Sequence, residues 1–208
     1  MPVAFVPWGA LEWHGPHGPV GLDGLKAHGI CLRAAALTGG IVLPPIWLGT
    51  GTLAAVMPAP HCVEISHDVV TEVAGQIISQ LADGGWRLVV VVAGHYGDDQ
   101  MAALRAAAAH INGQRGDVEV LVVADWETSG GVSPRDHAAA GETGILLALH
   151  PELMAVDRLP AHGELTTVEH GVWGADPRGS TEQDGAAMLE ATVRGLAELV
   201  MSRLPSAT

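Results

Sequence analysis

A chain of 208 residues, 48% apolar and 16% charged, is long enough to bury a large core and too apolar to remain disordered. Its 23 acidic and 10 basic residues leave a net charge of −13, which argues against nucleic acid as a partner, because such binding needs clustered Lys and Arg. No apolar run reaches the roughly 20 residues of a membrane span, no secretory leader is visible, and Cys31 and Cys62 lack redox or metal spacing, so a cytoplasmic chain is expected.

The elements read in order as follows. Pro2 to Val6 is a short apolar strand ended by Pro7. A Gly-, Pro- and His-rich loop runs from Gly9 to Leu22, and Asp23 caps a helix over Leu25 to Leu37 that Gly39 and Gly40 stop. Ile41 to Leu43 is a second strand, followed by a long loop over Ile46 to Pro60 and a brief strand over Cys62 to Ile65. Ser66 begins a helix from His67 to Ala82, with Val69, Val70, Val73, Ile77, Ile78 and Leu81 at helical spacing. Leu88 to Ala93, an unbroken apolar run with four valines, is what a strand covered on both faces requires. Asp98 or Asp99 caps an Ala-rich helix to Ile111; Val118 to Ala124 is a strand; helices cover Glu142 to Leu149 and Ala186 to Leu204. Strands alternating with helices predict a single-domain, three-layer α/β/α fold over residues 1–208 with a mostly parallel sheet. Ligands of such folds sit at the carboxyl ends of the strands, which singles out three loops: Gly9–Asp23, Gly94–Asp98 and Asp125–Glu142.

Each of these loops carries residues suited to metal chemistry. Glu12, His14 and Asp23 in the first are ligand types for zinc, manganese or iron, and a carboxylate such as Asp23 can bridge two ions. His95 stands between Gly94 and Gly97 directly after the apolar strand, either packed against backbone or delivered to a ligand. In the third loop His137 precedes Glu142, which either faces the strand ends or merely complements a helix dipole. Tyr96 and Trp126 stand beside these segments, as loop packing or as a wall for a flat substrate.

Four segments in order resemble the creatininase family, the creatinine amidohydrolases and their relatives. They are Gly9-Ala-Leu-Glu12-Trp-His14-Gly-Pro-His17-Gly-Pro-Val-Gly-Leu-Asp23, Gly94-His95-Tyr96-Gly97-Asp98, His137-Ala-Ala-Ala-Gly141-Glu142-Thr143 and Gly171-Val-Trp173-Gly-Ala-Asp176-Pro177. The resemblance implies two divalent ions per chain (Zn, Mn or Fe), with Glu12, Asp23 and His95 on one and His14, Asp23 and a further carboxylate on the other. Creatininase itself supplies that carboxylate two residues after the motif His; Gly97 stands there in this chain, so Glu142 is the expected substitute. The implied reaction is hydrolysis of a non-peptide C–N bond in a small cyclic amide or formamide, by a metal-bridging hydroxide with His137 as proton shuttle. Glu142, Tyr96, Trp126 and His17 complete the expected site, His17 as a residue that orients a ligand or touches substrate. Two alternatives stand beside this reading: the same site run toward amide formation or cyclisation, and a non-catalytic metal-binding relative. The family's His and Pro-Gly-Thr turn are missing from Thr50–Pro60, which speaks against creatinine as substrate. A homo-oligomer built from dimers, up to a hexamer, is the expected assembly, with a small-molecule amide as the other partner.

Overall fold

The computed structural model describes residues 2–204. Its sheet contains β1 (Val3–Gly9), β2 (Ile41–Val42), β3 (Ile46–Trp47), β4 (Leu88–Ala93) and β5 (Glu119–Ala124), in the order β2-β1-β4-β5, with β3 also on β1. Every pairing is parallel. The helices are α1 (Leu22–Thr38), the short α2 (Leu53–Val56), α3 (His67–Asp83), α4 (Asp98–Gln114), α5 (Ala140–Leu149), the short α6 (Thr167–His170) and α7 (Glu182–Met201).

Alternation along the strands divides the core. Val89, Val91 and Ala93 of β4, with Val6 and Trp8 of β1, pack against Val70, Ala74 and Ile78 of α3 and Leu104 and Ile111 of α4. Leu88, Val90 and Val92, with Val3 and Phe5, face Ile30 and Ala34 of α1, Ile145 of α5 and Leu196 and Val200 of α7. The result is the expected three-layer α/β/α arrangement around a parallel sheet.

Several boundaries differ from the sequence reading for physical reasons. Strand β1 continues through Pro7 to Gly9. Phe5 accepts a bond from Leu43 on the β2 side, whereas Trp8 accepts one from Gly94 on the β4 side, so the alternation turns Pro7 toward β2 and β3. Its missing N–H falls where Leu43-Pro44-Pro45 interrupts that edge, and no ladder bond is lost. Asp23 lies inside the first turn of α1, whose N-cap is Gly21; its carboxylate turns into the site instead of capping the helix. Gly97, not Asp98 or Asp99, is the N-cap of α4. Cys62 to Ile65 forms no strand beyond an isolated bridge between Gly49 and Glu64, and the presumed loop after Ile46 contains β3 and α2. Helix α7 starts earlier than expected, at Glu182, because the Thr181 hydroxyl accepts from the Asp184 N–H.

The first turn of α1 sits directly on the strand ends. A Cβ at Gly94 would come within 2.1 Å of the Asp23 carbonyl oxygen, and one at Gly9 within 2.2 Å of the Gly24 nitrogen. Only glycine permits this approach, and it brings Asp23 to the carboxyl edge of β1 and β4.

Candidate metal centre

At that edge the three loops converge. Asp23 is at the centre: its Oδ1 lies 3.0 Å from His14 Nε2 and its Oδ2 3.6 Å from His95 Nδ1. Glu12 Oε2 is 2.9 Å from His95 Nδ1, and Glu142 Oε2 is 3.4 Å from His14 Nε2. Three overlapping three-residue clusters of possible ligands result: Glu12–Asp23–His95 and His14–Asp23–Glu142, joined through the two oxygens of Asp23, and Glu12–His14–His137. All five side chains are buried, and Glu12 Oε2, His14 Nε2 and Asp23 Oδ2 have no hydrogen-bond partner. Buried polar atoms are rarely left this way, and a cation in each of the two clusters that share Asp23 would satisfy them.

The second nitrogen of each imidazole is committed elsewhere. His14 Nδ1 lies 3.0 Å from the Glu12 carbonyl and His95 Nε2 3.1 Å from the Thr50 carbonyl. A carbonyl only accepts, so those nitrogens carry the protons and leave His14 Nε2 and His95 Nδ1 as lone-pair donors. Glu12 is oriented in the same way, its Oε1 accepting from the Leu53 N–H at 2.6 Å. Glu142 is held by side chains: Oε1 accepts from Lys26 Nζ at 2.7 Å and from the Tyr96 hydroxyl at 2.8 Å, while Oε2 accepts from the Ala138 N–H. Its helix is begun by Asp136, whose carboxylate accepts from the N–H groups of Gly141 and Glu142.

The electrostatics follow from this crowding. Burial opposes ionisation of Glu12, but the adjacent His95 outweighs it and holds the carboxyl at about 2. Burial pulls His95 down, yet Glu12 and Asp23 raise it to about 9; His14 is likewise raised, by Asp23 and Glu142. Glu142 stays ionised despite burial because of Lys26 and His14. In the absence of a cation the imidazoles thus carry the charge that these carboxylates demand.

His137 adjoins the cluster. Its ring lies 4.4 Å from that of His14, its Nε2 donates to the Trp13 carbonyl at 3.0 Å, and its Nδ1 is 3.9 Å from Glu12 Oε2. Burial and the neighbouring His14 lower its pKa, which favours a neutral ring with a free Nδ1. A cavity of about 200 Å³ opens over Glu12, Asp23, His95, His137 and Glu142, with Tyr96 in its wall and Trp173 and Arg135 at its rim. The structure therefore gathers Glu12, His14, Asp23, His95, His137, Glu142 and Tyr96. It places two expected residues elsewhere. Trp126 lines a neighbouring depression with Met101 and Arg105, and His17 is buried behind the site with its Nε2 2.9 Å from the Ala138 carbonyl.

Lys26, Asp125 and Asp136 were not anticipated from the sequence. A lysine in a helical pattern reads as solvent-facing, and only the spacing of three from Asp23 places it on the same face. Asp136 lies too far ahead of the predicted helix start at Glu142 to be read as its N-cap, which in the structure is Ala139.

Residues 1–200 match the sequence profile of the Creatininase family, creatinine amidohydrolase. The chain belongs to the creatininase family. It is 25% identical over 235 aligned positions to creatinine amidohydrolase of Pseudomonas putida, covering 98% of this chain and 90% of that one. It is 28% identical to the mycofactocin precursor peptide peptidase of Mycobacterium ulcerans (strain Agy99), over 77% of this chain and 63% of that protein. Among solved structures, a crystal structure of creatinine amidohydrolase (creatininase) superposes with a TM-score of 0.81 at 24% identity, covering 99% of this chain and 92% of that one. A structure of creatininase with Mn superposes with a TM-score of 0.80 at 25% identity, over 98% and 91% of the two chains. The creatininase-family fold and amidohydrolase class are thereby established. Among the described residues, no helix is long and apolar enough to cross a membrane.

In this creatininase-family chain Gly97 occupies the position expected to carry a carboxylate in creatininase itself. A Cβ there would lie 2.9 Å from the Gly51 carbonyl oxygen, so the loop over residues 50–53 fills the room a side chain would need.

Proposed function

We propose that this protein is a two-metal amidohydrolase that opens or cleaves a small cyclic amide or formamide, with Glu142 as the carboxylate that replaces the one absent at Gly97. The observation that carries the reading is Asp23, buried, with one oxygen toward His14 and the other toward His95. Glu12, Asp23 and His95 would hold one divalent ion, and His14, Asp23 and Glu142 the other. Ions bound there supply Lewis acidity for an amide carbonyl and a water of lowered pKa. Zinc, manganese and iron all suit this nitrogen and carboxylate set.

The chain's own residues do the rest. His137, fixed by the Trp13 carbonyl, offers Nδ1 beside Glu12 at the cavity wall. From there it accepts a proton when the nucleophile forms and returns it to the departing nitrogen, which cannot leave as an anion. Tyr96 stays protonated through burial and nearby carboxylates, so it keeps donating to Glu142 while its ring closes one side of the cavity. Water is limited by depth: the proposed ligands are almost wholly covered, and the cavity opens at a rim that includes Val56, Arg135 and Trp173.

The test is a panel of lactams, formamides and short peptides offered to the metal-loaded protein, with products identified by mass. Turnover of a lactam or formamide supports the reading. Turnover of peptides alone aligns the chain with its mycobacterial relative instead, and no turnover with any class overturns hydrolysis. Self-association through dimers in a cytoplasmic setting belongs to the same reading, and light scattering of the purified chain tests the assembly.

A further inference from the structure

We propose that Lys26 is the positioning residue of the His14–Asp23–Glu142 site: it holds one oxygen of Glu142 so that the other is presented to the ion. The inference rests on Glu142 being a ligand and deepens that reading.

Lys26 is 1% exposed, an unusual place for an ammonium group. Its Nζ lies 2.7 Å from Glu142 Oε1, 3.0 Å from Asp125 Oδ2 and 4.7 Å from the centre of the Tyr96 ring. It thus ties α1 to the first turn of α5 and to the residue that follows β5. Asp23 is one helical turn back on α1, so a single face supplies both the bridging carboxylate and the cation that orients its neighbour.

The effect on Glu142 is geometric. A glutamate has three rotatable bonds, and in a cluster this acidic its carboxylate would turn to offer both oxygens to one ion. Lys26 and Tyr96 occupy Oε1, which leaves Oε2 as the single atom facing His14. An ammonium cannot itself ligate a metal, and its charge repels one. Charge alone therefore predicts that removing Lys26 tightens metal binding, whereas positioning predicts that removal weakens it. The two accounts differ in sign.

The experiment is Mn²⁺ titration by calorimetry, with electron paramagnetic resonance to separate the two classes of ion, on wild type, Lys26→Met and Lys26→Met/Asp125→Asn. The double variant removes one positive and one negative charge and leaves the local sum unchanged. Circular dichroism checks the fold. The expected result is one ion bound as in wild type and the other weakened about 10- to 100-fold, the usual cost of losing a group that orients a ligand. Two ions at wild-type affinity in either folded variant, or tighter binding in Lys26→Met, would overturn the assignment. Loss of the native fold in both variants would also overturn it, making Lys26 structural. If wild type binds a single ion, the two-metal reading itself fails and takes this inference with it.

Discussion

The two halves of the candidate metal centre share Asp23, but Glu142 is supported by different means from Glu12 and His95. On the Glu12–His95 side the orienting groups belong to the main chain: the Leu53 N–H fixes Glu12 and the Thr50 carbonyl fixes His95. On the other side the main chain orients His14 through the Glu12 carbonyl and reaches Glu142 through the Ala138 N–H, but Glu142 Oε1 is held by two side chains, Lys26 and Tyr96. Main-chain support is insensitive to most substitutions, because nearly every residue supplies the same N–H and C=O. Side-chain support depends on particular residues and can be tuned. The first half is thus the fixed part of the candidate site, and the second is the part that substitution can tune.

This contrast can be broken at several points. Asp23→Ala, which touches both halves, should abolish binding of both ions and all turnover; metal analysis after dialysis reads this directly. His137→Ala should retain both ions while turnover falls about 100- to 10,000-fold, the range for a lost general acid–base. If metal is lost as well, His137 acts as a ligand and not as a shuttle. Leu53→Pro attacks the main-chain half where side chains cannot. Thr52, the N-cap of α2, is already extended, so a following proline fits, but the N–H to Glu12 disappears. A hydrogen bond to a charged acceptor is worth about 1.5–3 kcal/mol, so the Glu12–Asp23–His95 ion should weaken roughly 10- to 100-fold in a competition titration. Tyr96→Phe removes one of two donors to Glu142 Oε1 and should weaken only the other ion, by about tenfold or less.

The smallest effect concerns acid stability. Burial, opposed by the Ala138 carbonyl and reinforced by His14 and His137, lowers His17 from 6.5 to about 4. As pH falls below 6.5 the unfolded chain takes up the proton first, so the stability carried by neutral His17 is present above that pH and lost toward about 4. In His17→Gln the fall in melting temperature across this window should be shallower than in wild type. An equal fall in both would show that His17 does not contribute.

Much of this was legible in the chain itself. Leu88–Ala93 could be placed because an unbroken β-branched run has few other uses, and the clustering of Glu12, His14 and Asp23 among glycines and prolines pointed to a metal before any fold was known. Glu142 was reached through the resemblance and the glycine at 97. What stayed hidden depends on tertiary docking or on the backbone. Lys26 is buried only because α5 and the end of β5 close over it. The Leu53 N–H and Thr50 carbonyl carry no residue signature at all. Pro7 read as the end of a strand because its harmlessness depends on a gap in the neighbouring edge, which is a property of the sheet.

The candidate ligands also fall unevenly along the polypeptide. Glu12, Asp23 and His95 all lie within its first 95 residues, on segments joined by β1 and β4, whereas Glu142 arrives only when α5 docks against α1. An ion held by His14, Asp23 and Glu142 would therefore clasp α5 to the loop and helix that follow β1, segments far apart in the sequence.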